Sequence, residues 1–170
     1  LVLAGGRDTV IASIAGAPRH LATPPEAVAA LRDDPAGIPI AVEEFLRYIT
    51  PLAHIGRTVA TDTEIDGHRF AAGDLVSLCF AAANRDPRVF DAPERCIVNR
   101  RPNRHVAFGH GPHTCIGAPL ARMELTVVIE RFLLTVTECT VVCPDTWDAR
   151  DLDTVTTGSS FPHDLRLRIA

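Results

Sequence analysis

One cysteine in this chain has neighbours that could let its sulfur do chemistry. Phe108 to Gly117 read F-G-H-G-P-H-T-C-I-G, so Cys115 is fenced by Gly109, Gly111, Gly117 and Pro112. Glycine allows φ > 0 and a close approach to a flat partner, and N–H groups turned toward a sulfur favour its anion. His110 and His113 add donors or positive charge beside it. On these residues alone two readings stand: a thiolate that ligates a metal, or a buried structural cysteine in a glycine turn. A zinc site built from His105, His110, His113 and Cys115 is a third, since zinc accepts nitrogen and sulfur, but the spacings match no common finger. Elsewhere, Glu44 and Arg47 are three residues apart, a spacing that lets opposite charges meet on one helix face. The bland alternative is a solvated surface pair.

These residues need elements to hold them. Residues 1–16 read as an apolar helix with Gly5 and Gly6 inside it, which is costly for a helix and suggests a kink or a close approach by something bulky. Pro24 and Pro25 open a short helix to about Leu31, and Ile40 to Ile49 form a strongly amphipathic helix closed by Pro51. Thr58–Ile65 and His68–Phe70 flank Asp66-Gly67, a hairpin signal, and Leu75–Leu78 continue as a strand. Residues 81–103, with three prolines, read as a packed meander. A long helix covers Ile116–Leu134 with Pro119 in its first turn, and strands are expected at 135–142 and 165–169. The sum is mainly α with small β-sheets, an α+β fold.

At 170 residues with 46% apolar content and a net charge of −4, the chain can bury a real core and has no disorder signature. The acidic balance gives no reason to expect nucleic acid, and the longest apolar run, 75–83, is too short for a bilayer. Five scattered cysteines (Cys79, Cys96, Cys115, Cys139, Cys143) argue against a disulfide framework and for a reducing cytoplasm. The only methionine is Met123, and the chain opens inside a helical pattern without a cap. A preceding segment is therefore expected, and residues 1–170 are taken as one partial domain.

Four separated stretches resemble one family. The 108–117 loop, Glu44-Phe45-Leu46-Arg47, Gly5-Gly6-Arg7-Asp8-Thr9, and Ala83-Asn84-Arg85-Asp86-Pro87 with Arg122 in L-A-R-M-E occur in the order found in the cytochrome P-450 superfamily, the haem-thiolate monooxygenases, and resemble its soluble bacterial branch. The resemblance spans the whole chain but only the C-terminal part of the family's domain. It implies that Cys115 is the axial thiolate of haem b, with Phe108 and Gly117 beside it and Arg57, His105 and His113 facing the propionates. It implies that Asp8 and Thr9 relay protons to O2, with Gly5 leaving room, and that Arg100 joins Glu44 and Arg47 in an architectural ion network. Leu52, Ala53 and His54, with Ser160 and Phe161, would line a substrate pocket. The activity implied is insertion of one oxygen atom of O2 into an organic substrate, by hydroxylation or epoxidation. Electrons would come from a ferredoxin-type donor and its NAD(P)H reductase, because no flavin signature is present. The alternative is a non-catalytic or degenerate fragment with a scaffold or interaction role.

Overall fold

A computed structural model describes residues 2–22, 25–141 and 167–169. Four helices make the core: α1 (Val2–Ala22), α2 (Pro25–Asp33), α3 (Ile38–Ile49) and, after a one-turn helix α4 (Phe80–Ala83), α5 (Ala118–Thr135). Helix α3 shows why. Ile38, Ala41, Val42, Phe45 and Leu46 recur at helical spacing and are all buried. Pro39 is tolerated in the first turn. The helix stops at Thr50, which takes a left-handed conformation (φ 44°) and donates its N–H to Leu46 O, with Pro51 next.

The apolar face of α3 meets Ala17 and Leu21 of α1, Leu31 of α2, and Leu125, Ile129 and Leu133 of α5. Small residues on α1 allow the close approach: a Cβ on Gly16 would come within 2.7 Å of Ile49 Cδ1. Helix α1 continues through Gly5 and Gly6 and ends six residues later than its sequence pattern suggests, with Pro18 inside it. Arg32 of α2 ties down the far end of α5, donating to Leu133 O (3.2 Å), Val136 O and Thr137 O. Carbonyls at the end of a helix lack the usual donor one turn on, and here one guanidinium from α2 meets the carbonyls at and just past the end of α5, docking the two helices. The opposite face of α5 leaves Leu120, Met123, Val127 and Leu134 exposed.

The strands are short and pair antiparallel: β1 (His54–Thr58) with β4 (Leu75–Cys79), β2 (Thr63–Ile65) with β3 (His68–Phe70), and β5 (Cys139–Val141) with β6 (Leu167–Ile169). Asp66 and Gly67 turn the hairpin at φ 50° and 80°, as two successive left-handed residues must. The expected strand 58–65 is divided. Its first residue closes β1 with His54–Arg57, because His54↔Cys79 and Thr58↔Leu75 pair across the turn region, and only Thr63–Ile65 serve the hairpin. Phe45→Ala should cost about 3–5 kcal/mol in denaturant unfolding, because it empties a fully buried site where four elements meet. Ile65→Ala, on the exposed hairpin, should stay within about 0.5 kcal/mol.

Candidate functional site

Glu44 lies on α3, fully buried. A carboxylate there cannot remain unpaired. Arg47, one turn on, donates Nε to Oε2 and Nη2 to Oε1, each at 2.8 Å. Arg100 brings its Nε to the same carboxylate, 3.0 Å from Oε2 and 3.1 Å from Oε1. The Ile97 N–H donates to Oε1 at 2.7 Å and Asn103 Nδ2 to Oε2 at 3.2 Å. The arginines spend their remaining donors on backbone carbonyls of the meander. Arg47 reaches Asn84, Pro93 and Arg95, and Arg100 reaches Asp91, Ala92 and Arg95. Cys96 sits beside this cluster, and burial, followed by the charge of Glu44, pushes its thiol up to about 12, so it is an inert core group.

Asn84, also fully buried, extends the frame. Its Nδ2 donates to Thr50 Oγ1 (3.0 Å) at the end of α3, and its Oδ1 accepts the Val106 N–H (2.8 Å). Val106 leads directly into the cysteine loop. There Gly109 and Gly111 take φ 71° and 74°. The Cys115 N–H closes the loop onto Phe108 O at 2.9 Å, and the Thr114 N–H and hydroxyl both donate to Gly111 O. Gly117 does not share the left-handed conformation expected of it; at φ −82° it caps α5. A Cβ there would lie 3.7 Å from Cys115 Sγ, an ordinary van der Waals contact, so Gly117 borders the sulfur directly. Cys115 is exposed, Ile116 after it is completely bare, and among the described residues no hydrogen bond reaches Sγ.

The other residues fall into three sets. Arg57 is exposed on β1, its Nη1 spanning to Gly56 O, and His113 is exposed at the end of the turn before Cys115. Leu52 is partly exposed and Ala53 and His54 half-buried at the start of β1. Near the start of α1, Gly5 is exposed, Thr9 Oγ1 donates to Gly5 O at 3.0 Å, and Asp8 sits exposed beside Arg7 at 3.3 Å. Ser160, Phe161 and Cys143 lie outside the described residues. His105, expected to face a propionate, is engaged elsewhere. Its ring is 4% exposed, Nε2 lies 2.9 Å from Glu43 Oε2, and Nδ1 accepts the Ala107 N–H at 3.2 Å. Both ring nitrogens are used within the protein.

Sequence reasoning passed over Glu43. It binds His105 through Oε2 and Arg122 through both oxygens, at 2.6 and 3.0 Å. Burial alone would raise its pKa, but the hydrogen bonds from His105 and Arg122 outweigh it and hold the carboxyl at about 2 instead of 4.5. Two successive acids in an otherwise apolar helix were the available signal.

The sequence pattern of the cytochrome P450 family matches residues 39–145, and the chain belongs to that family. It is 38% identical over 145 residues to a steroid C26-monooxygenase of Mycobacterium tuberculosis, covering 85% of this chain and 39% of that protein. It is 43% identical over 129 residues to the 20-oxo-5-O-mycaminosyltylactone 23-monooxygenase of Streptomyces fradiae, covering 76% and 31%. Among solved structures it resembles a P450, OxyD, involved in the biosynthesis of vancomycin-type antibiotics, with a TM-score of 0.81, 41% identity, and 84% and 37% of the two chains covered. The chain thus spans about two fifths or less of the length of these proteins.

Two outcomes are expected here. Arg100→Leu strips a partner from a buried carboxylate and should cost about 3–5 kcal/mol in urea unfolding. Because the folded pKa of Glu43 is depressed, its contribution is complete above pH 4.5 and is lost as pH falls toward 2. Acid titration of Glu43→Gln should therefore show a shallower loss of stability across that window, by about 2 kcal/mol.

Proposed function

We propose that this chain carries the thiolate-bearing part of a haem-dependent monooxygenase that inserts one oxygen atom of O2 into an organic substrate. The observation that carries the reading is Cys115 itself: an exposed thiol, in a turn opened by Gly109 and Gly111, next to a wholly exposed isoleucine, in a chain of the P450 family. A bare thiol beside a bare apolar side chain suits a flat, largely apolar group that would need one sulfur from the protein. Among the described residues no three His, Cys, Asp or Glu side chains converge as a metal site, which fits a single-thiolate ligand better than zinc.

Cys115 Sγ would hold the iron of haem b, Phe108 and Gly117 would flank it, and Arg57 and His113 would take the propionates. Haem, when bound, supplies the oxidation chemistry, with a thiolate ligand favouring O–O cleavage. The protein's share is positioning and proton handling. Helix α5 begins three residues after Cys115, and a helix N-terminus favours a nearby anion. Thr9 Oγ1 has its own proton committed to Gly5 O, so it presents lone pairs and accepts a hydrogen bond from a water or a protonated oxygen. Asp8, one residue before and exposed beside Arg7, would serve the solvent side of that relay. Leu52, Ala53 and His54 would contact substrate. A steroid and a mycaminosyltylactone, named for the two relatives, are different skeletons, so the substrate is assigned only as an organic molecule. Electrons would come from a ferredoxin-type donor served by an NAD(P)H reductase. No helix among the described residues is long and apolar enough to cross a membrane.

The test is the reduced, CO-bound spectrum. The haem-loaded protein should show the red-shifted Soret band of thiolate ligation, and Cys115→Ser should lose it. A band that survives Cys115→Ser defeats the reading. Thr9→Ala should keep the band while product formation falls by about 100-fold, measured against NAD(P)H consumed.

A further inference from the structure

The structure gives the two adjacent carboxylates of α3 different duties. Glu44 serves the meander. Glu43 points to the cysteine loop, and its contacts form a continuous path to it. Arg122 of α5 offers its guanidinium to Glu43 through Nε and Nη2, and lies 4.6 Å above the centroid of the Phe108 ring. His105 donates to Oε2 of the same carboxylate, the oxygen that also accepts Arg122 Nη2, and its ring lies 6.1 Å from that of Phe108. Its tautomer follows from the bonds: Nδ1 accepts from Ala107 N–H, so Nε2 carries the proton toward Glu43. Phe108 O in turn accepts the N–H of Cys115. The cysteine's backbone is thus fixed by a residue whose ring neighbours an arginine and a histidine that share one glutamate.

We propose that Glu43, His105 and Arg122 are positioning residues for the thiolate, setting the place of Phe108 and through it the orientation of Cys115. The proposal rests on the haem-thiolate reading. An arginine that is 43% exposed at its side chain would ordinarily sample many rotamers; a bidentate carboxylate and an aromatic face leave it one. Outer-sphere groups of this kind orient the ligand that they support.

The experiment follows thiolate retention in the haem-loaded full-length protein, as the rate at which the red-shifted band of the reduced CO complex decays. Glu43→Gln and Arg122→Gln should each speed that decay about tenfold, and the double variant should be no worse than either single one, because both break one device. Glu64→Gln, which breaks an exposed pair with Arg69, should leave the rate unchanged. Arg122→Gln carries the test if Glu43→Gln does not fold. Wild-type decay rates in these variants, or a double variant whose effect is the product of the two, overturn the proposal while leaving the haem reading intact. A wild-type protein that never shows the band overturns both.

Discussion

A carboxylate buried in the middle of a helix is the constraint around which this chain is arranged. Glu44 cannot be hydrated, so every lone pair must find a donor in the protein. Arg47, Arg100, Ile97 N–H and Asn103 supply them. Two guanidinium ions around one carboxylate leave an excess positive charge. The meander disposes of it by turning the carbonyls of Asn84, Asp91, Ala92, Pro93 and Arg95 inward. This solves a second difficulty at once. An irregular segment has no ladder to satisfy its own backbone, and here the arginines perform that service. The ion cluster and the loop conformation each make the other possible.

The cysteine loop depends on this frame twice. Asn84 joins the end of α3 to Val106, just before the loop begins. Glu43 joins α3 to His105 and Arg122, which grip Phe108. The loop can therefore leave Cys115 exposed without being loose. Its own bonds, Cys115 N–H to Phe108 O and Thr114 to Gly111 O, are local and would not fix it against the helices. In the proposed monooxygenase this is the property required of a ligand loop: a sulfur that is accessible yet held in place.

The parts of this arrangement set by local chemistry could be read in the sequence. The 3.6-residue pattern of α3, the Asp66-Gly67 turn and the E-x-x-R spacing each depend on near neighbours, and so they resolve without knowledge of the fold. Long-range partners were harder. His105 looked available because sequence does not reveal that Glu43, 62 positions away, takes its Nε2. Glycine's freedom to take φ > 0 points to Gly117 as much as to Gly109 and Gly111, yet its φ follows from the start of α5. Residues 58–65 read as one strand, but His54–Thr58 pairs with Leu75–Cys79, a choice that only the second strand decides. The apolar pattern of the N-terminal helix covers 1–16, whereas packing of Ala17 and Leu21 against α3 and α5 carries the helix on to Ala22.

The claim that α3, the meander and the cysteine loop form one body held by Glu44 and Asn84 is tested most directly by amide hydrogen exchange. The Ile97 and Val106 N–H groups lie in irregular segments, and their acceptors are the side chains of Glu44 and Asn84. Both should exchange as slowly as the amides of α3, and both should speed up together in Arg100→Leu, because opening the cluster opens the body. Exchange of Ile97 and Val106 at the rate of the exposed 66–67 turn, in the unaltered protein, would contradict the account.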